Sequence, residues 1–148
     1  MEIKIKKLSP EAVIPTAATE GSGAYDLYCP DIRMVHAKKR AIIPLKFAIE
    51  LPVGYVADIR PRSGYSAKGF ADNFGSRVDC DVILGTIDSD YRGEVGVILA
   101  NKGPQFIIGK GQRIAQMLIH KAEQVTFAEV DNLSETARGD GGFGHSGN

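Results

Sequence analysis

Residues 85–94 read Gly85-Thr86-Ile87-Asp88-Ser89-Asp90-Tyr91-Arg92-Gly93-Glu94, flanked by Val82-Ile83-Leu84 on one side and Val95-Gly96-Val97-Ile98-Leu99 on the other. Two apolar runs joined by Ser-Asp and Arg-Gly turn chemistry read as a β-hairpin. A loop tip alone has no need for Asp88, Asp90 and Tyr91 packed so closely. The hairpin is therefore read as the working part of the chain, and the other distinctive stretches as converging on it.

Arg60-Pro61-Arg62-Ser63-Gly64-Tyr65-Ser66-Ala67-Lys68-Gly69 follows a strand and opens the best candidate for a helical turn, with Ser63 as its start cap and Gly69 as its end. A helix start offers free N–H groups, Arg62 a fork for oxygens and Ser63 a hydroxyl, which together suit a phosphate as well as an ordinary capped turn. Asp26, in Ala24-Tyr25-Asp26-Leu27-Tyr28, is either a polar-face residue of an edge strand or a carboxylate that needs a partner or a metal. Gly111-Gln112-Arg113-Ile114-Ala115-Gln116 leads into an apolar strand in which Gln116 either braces backbone or touches a ligand. The final stretch, Arg138-Gly139-Asp140-Gly141-Gly142-Phe143-Gly144-His145-Ser146-Gly147-Asn148, is too Gly-rich to fold alone and suits an arm that orders over a phosphorylated ligand.

Several formal matches fail on context. Gly109-Lys110-Gly111 lacks the Ser or Thr that a Walker loop needs after its lysine. The spacing of Gly139, Gly141 and Gly144 imitates a dinucleotide fingerprint, but no crossover helix can follow it in this sequence. Asp79 and Asp81 lack calcium-loop spacing.

The elements that must position these groups are short. Apolar runs near residues 2–6, 25–28, 40–50, 54–60, 82–87, 94–100, 105–108, 113–120 and 124–130, punctuated by 17 glycines and 7 prolines, predict an all-β sandwich, jelly roll or barrel. At 148 residues the chain fits one domain with a sizeable core. Its 18 Lys+Arg balance 18 Asp+Glu, which argues against a broad nucleic-acid-binding face and leaves room for a small anion gripped by a few arginines. No apolar stretch reaches the ~20 residues that span a bilayer. The charged, alternating Met1–Lys7 has no signal-peptide core, and Cys29 and Cys80 fit neither a disulfide framework nor a metal site. These features imply a cytoplasmic protein with two reduced thiols, and the glycosylation-like Asn132-Leu133-Ser134 is discounted accordingly.

Taken in order, Ala24–Tyr28, Pro61–Gly64, Gly85–Glu94, Gly111–Gln116 and Arg138–Gly147 resemble the five motifs of the homotrimeric dUTPase family, the deoxyuridine triphosphate nucleotidohydrolases. The resemblance spans residues 24–147. It implies a jelly-roll-like β-barrel over 1–131, a flexible C-terminal arm over 132–148, and a homotrimer whose active sites draw on all three subunits. It further implies Mg²⁺-dependent hydrolysis of dUTP to dUMP and pyrophosphate by water attack on the α-phosphorus. By that likeness Asp88 activates the water and Tyr91 stacks on the deoxyribose. Backbone of Gly85, Thr86 and Ile87 pairs with uracil, and Arg62, Ser63 and Gly64 hold the leaving phosphates. Gln116 contacts the α-phosphate. Arg138 grips the γ-phosphate, Phe143 covers uracil, and Gly144, His145 and Ser146 close over the triphosphate. Asp26 lies near the metal and acts through water, the metal itself being held mainly by substrate phosphates. Asp90 is expected to be structural, pairing with an arginine.

Two features depart from the family pattern. Tyr65 stands where leucine usually follows Arg-Ser-Gly, and the segment between Lys68 and Gly85 is longer than usual. A dCTP deaminase shares the fold but lacks the Gly-rich final motif. A nucleotide-gated binding protein, using residues 70–84 as its contact surface, is a reading of another class. The arm's reach suits a shared site: residues 132–148 extend to roughly 55 Å, against a radius of gyration near ~15 Å for such a domain.

Overall fold

The computed structural model describes residues 1–142. The strands in chain order are β1 (Lys4–Lys7), β2 (Thr16–Ala17), β3 (Tyr25–Tyr28), β4 (Arg33–Val35), β5 (Arg40–Pro44), β6 (Phe47–Glu50) and β7 (Tyr55–Arg60). After one helical turn, α1 (Ser63–Lys68), come β8 (Phe70–Ala71), β9 (Arg77–Val78), β10 (Cys80–Ile83), β11 (Gly85–Ile87), β12 (Gly96–Asn101), β13 (Phe106–Ile108) and β14 (Arg113–Lys121). Neighbouring strands run antiparallel in a five-stranded sheet ordered β11-β7-β14-β3-β2 and a three-stranded sheet ordered β10-β12-β5. Strand pairs β1-β6, β4-β13 and β8-β9 complete the all-β, jelly-roll-like body.

Alternation does most of the folding. Val97 and Leu99 of β12 point inward while Ile98 and Ala100 point out, and Ala57 and Ile59 of β7 do the same against Asp58 and Arg60. Inward residues of both sheets, among them Leu27, Ile43, Ile59, Val97, Leu99 and Met117, form one buried cluster with Phe47, Phe70 and Ile108. Cys29 and Cys80 are free and buried. Burial pushes both thiols up, Cys80 to about 12 with the charges of Asp81 and Asp79 adding, so they stay protonated and serve as small core side chains. No helix among the described residues is long and apolar enough to cross a membrane.

The structure corrects the sequence reading in four places. The run 40–50 is two strands, broken where Lys46 takes a positive φ of 60° and Leu45 N–H donates to the Val95 carbonyl at 2.9 Å. The run 82–87 also divides: β10 pairs with β12, but β11 leaves to pair with β7 in the other sheet. No strand forms over 124–130, because β14 ends at Lys121 and the last backbone bond to the barrel is Ala122 N–H to the Gly54 carbonyl, 2.9 Å. Beyond it Val125 and Phe127 lie open, the latter 97% exposed. Residues 70–81, whose polar, turn-rich composition reads as a solvated surface loop, instead form the β8–β9 hairpin, tied at its Asp72 turn by Phe74 and Ser76 N–H groups donating to Asp72 Oδ1.

Leu27 is fully buried at the junction of β3 with the core. Leu27→Ala is expected to cost about 2–5 kcal/mol in urea unfolding. Val53→Ala, at a residue 89% exposed, is expected to shift stability by less than about 0.5 kcal/mol.

Candidate functional site

The first group of predicted residues meets on the outer face of the five-stranded sheet. Asp26 of β3 lies opposite Gln116 of β14. It is only 7% exposed although it points outward, because both its oxygens are taken: Arg62 Nε donates to Oδ1 at 2.9 Å and Arg113 Nη1 to Oδ2 at 3.2 Å. Two guanidiniums against one carboxylate leave a local excess of positive charge, suited to an anion. A register shift in β14 between Arg113 and Ala115 makes this possible. Strict alternation would send Arg113 and Gln116 to opposite faces. The extra residue lets Ile114 and Ala115 both bury completely while Arg113 and Gln116 emerge on the same side.

Around this group the braces are specific. Gln116 Nε2 donates to the Pro61 carbonyl at 2.9 Å and so fixes the chain just before Arg62. Tyr65, the departure from the family pattern, gains a role through its hydroxyl, which donates to the Arg113 carbonyl at 2.6 Å. Its ring lies 5.6 Å from the Arg62 guanidinium and 4.5 Å from the Phe70 ring. Ser63 is not the cap of α1. Arg62 occupies that position with an extended backbone and no side-chain capping bond, so Ser63 begins the helix with its hydroxyl outside the cap. Gly69 ends the turn as expected, at φ 85°, donating to the Tyr65 carbonyl at 3.0 Å.

The second group surrounds a hollow of about 220 Å³ lined by Gly85, Thr86, Ile87, Asp88 and Tyr91 with Ile59, Glu94, Val95, Gly96 and Ile98. Ile87 is buried and the next residue, Asp88, is exposed at the turn. Tyr91 N–H donates to the Asp88 carbonyl at 3.1 Å and the Tyr91 hydroxyl to the Glu94 carbonyl at 3.0 Å. The Tyr91 ring folds over Gly93 so closely that a Cβ there would lie 2.3 Å from its hydroxyl. Glycine at 93 is what lets the ring form a wall of the hollow. The arginine partner expected for Asp90 does not come from Arg92, whose Nη1 turns to the carbonyls of Ser89 and Tyr91.

A further hollow of about 470 Å³ joins the two groups, lined by Asp58, Arg60, Pro61, Leu84, Gly85, Thr86 and Gln116. Asp58 anchors it. Thr86 Oγ1 donates to Asp58 Oδ1 at 2.7 Å, while Arg60 Nη2 and His120 Nε2 reach Oδ2 at 3.0 and 2.9 Å. The Thr86 hydroxyl first, then His120 and Arg60, hold the Asp58 carboxyl down to about 2. Sequence reasoning missed Asp58 and His120, and it gave Arg113 no role of its own. Asp58 looks like any polar-face residue of an alternating strand, and only three-strand pairing reveals its partners.

Arg138 is apart from both groups: its Nε donates to the Gly141 carbonyl at 2.7 Å, within the exposed segment after the barrel. Phe143, Gly144, His145 and Ser146 lie outside the described residues. Among the described residues no three His, Cys, Asp or Glu side chains gather to hold a metal ion. These residues therefore form no all-protein cage for a cation, and both oxygens of Asp26 are held by arginines.

A hollow lined by Gly85–Ile87 and Tyr91, with a carboxylate at its rim and a two-arginine cluster on the neighbouring face, suits a nucleotide phosphate. The family comparison makes the assignment specific: a dUTPase model matches residues 10–147, and the chain belongs to that family. A deoxyuridine 5'-triphosphate nucleotidohydrolase of Hydrogenobaculum sp. is 44% identical over 99% of both chains. Its counterpart in Arabidopsis thaliana is 46% identical over 97% of this chain and 82% of its own. Among solved structures, the Staphylococcus bacteriophage 80alpha dUTPase with dUPNHPP superposes with a TM-score of 0.88, covering 99% of this chain and 98% of that one at 24% identity. A dUTPase of phage phi11 of S. aureus, solved with a structural Mg(II) ion, gives 0.79 at 19% identity, covering 89% and 98%. Those two likenesses establish the fold.

Asp58 has a consequence for stability against pH. An unfolded aspartate titrates near ~4, and the folded group near about 2. The lowered value stabilises the fold above about pH 4, and that contribution is lost as pH falls through about 2. Urea unfolding should show wild type more stable than Asp58→Asn at about pH 5, with the margin shrinking toward pH 2. A margin independent of pH would contradict the ion-pair assignment.

Proposed function

We propose that the protein hydrolyses dUTP to dUMP and pyrophosphate, with Asp88 accepting the proton of the water that attacks the α-phosphorus. The observation that carries this is the hollow at the hairpin. Backbone of Gly85–Ile87 lines one wall, the Tyr91 ring another, and the Asp88 carboxylate stands at the rim. Backbone donors and acceptors read one base edge and leave buried groups unpaired for a wrong one. The Tyr91 ring offers a flat apolar face to the sugar and crowds a 2′-hydroxyl. Arg62, Ser63 and Gly64 receive the leaving phosphates, and Gln116 reaches the α-phosphate from the strand beside Asp26.

By the family likeness a homotrimer would complete the site, adding residues of neighbouring subunits around the groove that joins the Gln116 face to the hairpin hollow. The exposed apolar Val125, Phe127 and Leu133 support packing of the segment after the barrel on another copy. From there the arm of residues 132–148 brings Arg138, Phe143, Gly144, His145 and Ser146 to a neighbour's site. Bound Mg²⁺ would neutralise phosphate charge, and by the family likeness Asp26 would meet it through water. The protein's own share is to orient the triphosphate, exclude bulk water and accept the proton at Asp88. The free, protonated thiols of Cys29 and Cys80 accord with a cytoplasmic setting.

Asp88→Asn should still bind dUTP and lose at least about two decades of kcat, as for removal of a general base. Near-wild-type hydrolysis in that variant would remove Asp88 from the role. Deleting residues 138–148 should leave a folded trimer, by sedimentation and circular dichroism, with little turnover. An unchanged kcat/KM would refute the arm's part in the reaction.

A further inference from the structure

Strand β11 carries the backbone assigned above to base recognition, yet it has few means of holding its place. It is three residues long, lies at the edge of its sheet and, among the described residues, pairs only with β7. Gly85 has no side chain and Ile87 is spent on the core. That leaves Thr86 as the single outward side chain of the strand, directly across from Asp58 in the ladder.

The Thr86–Asp58 hydrogen bond, at 2.7 Å, differs from an ordinary cross-strand pair because its acceptor is itself fixed. Asp58 Oδ2 receives Arg60 Nη2 from the same strand and meets His120 Nε2 from β14 on the far side of β7. The Asp58 side chain is 21% exposed, so little solvent competes for these bonds. The network thus ties β11 through β7 to β14, the strand whose Gln116 fixes Pro61 beside Arg62. Base-reading backbone and phosphate-side arginine are referred to one frame. Recognition by backbone hydrogen bonds tolerates displacements of only about 0.5 Å.

We propose that Asp58 is a positioning residue for base selection, holding Thr86 and hence the Gly85–Ile87 backbone at the distance that accepts uracil. This rests on the dUTP reading above. Neither Asp58 nor the Thr86 hydroxyl need touch the substrate. Their effect falls on discrimination and KM, because a loosened strand still presents Asp88 but reads the base poorly.

The test compares kcat and KM for dUTP, dTTP and dCTP in wild type, Thr86→Val, Thr86→Ser, Asp58→Ala and the double variant Thr86→Val/Asp58→Ala, with melting temperatures alongside. Loss of one hydrogen bond to a charged group predicts about a tenfold fall in the preference for dUTP over dTTP in Thr86→Val, carried mostly by a higher KM for dUTP. Thr86→Ser should restore the preference, and the double variant should be no less selective than Asp58→Ala. Wild-type selectivity in folded Thr86→Val, or additive losses in the double variant, would overturn the proposal. If Thr86→Val fails to fold, Asp58→Ala against Thr86→Ser decides in the same way: selective Asp58→Ala overturns it. Wild-type turnover in the same assay checks the underlying reading separately, since its absence would remove the function itself.

Discussion

Between Ile83 and Gly85 the chain leaves one sheet for the other. Up to Ile83 it pairs with β12, and from Gly85 it pairs with β7. The separation opens a hollow between β11 and the start of β12, and the core-buried Ile87 fixes how far the next residue stands out. Asp88 is therefore presented by a short strand locked at its inner side, not by a free loop tip. A tight hairpin over the same residues would have closed the space that a base and sugar require.

Charge is handled in two different ways on the outer face of the larger sheet. At Asp26 one carboxylate meets two arginines and leaves positive charge unspent, so the cluster can still attract phosphate. Burying such a group contributes little net stability, since desolvation offsets much of the attraction. Its value lies in orientation: Arg62 is held by Asp26 at Nε, with its guanidinium over the Tyr65 ring. At Asp58 the partners are a hydroxyl, a histidine and an arginine, and the acid is saturated rather than poised. One cluster points toward a ligand, the other toward the backbone that frames it.

Much of this was legible in the sequence. The all-β class followed from short alternating runs, and Gly69, Asp88 and Tyr91 stand where turn chemistry placed them. The family's motifs were recognisable because each keeps its residues contiguous. What escaped is what contiguity does not encode. The shift in β14 makes Arg113 and Gln116 neighbours of Asp26, against the period of two that strands obey. The run 124–130 has the composition of a strand but no partner within its own chain, and composition says nothing of partners. Ser63 has the residue type of a cap, yet the extended backbone of Arg62 takes the position first. Asp58 and His120 are ordinary in sequence and become a network only when β7, β11 and β14 lie side by side.

The central claim is that the Asp88 carboxylate meets a water lined up behind the innermost phosphorus of a bound deoxyuridine nucleotide. A crystal structure of the assembled protein with a non-hydrolysable dUTP analogue and Mg²⁺ tests this most directly. The account predicts one ordered water within about 3 Å of an Asp88 oxygen, opposite the leaving oxygen of the α-phosphorus. An Asp88 side chain turned away from the α-phosphate, with the in-line water held by another group, would contradict it.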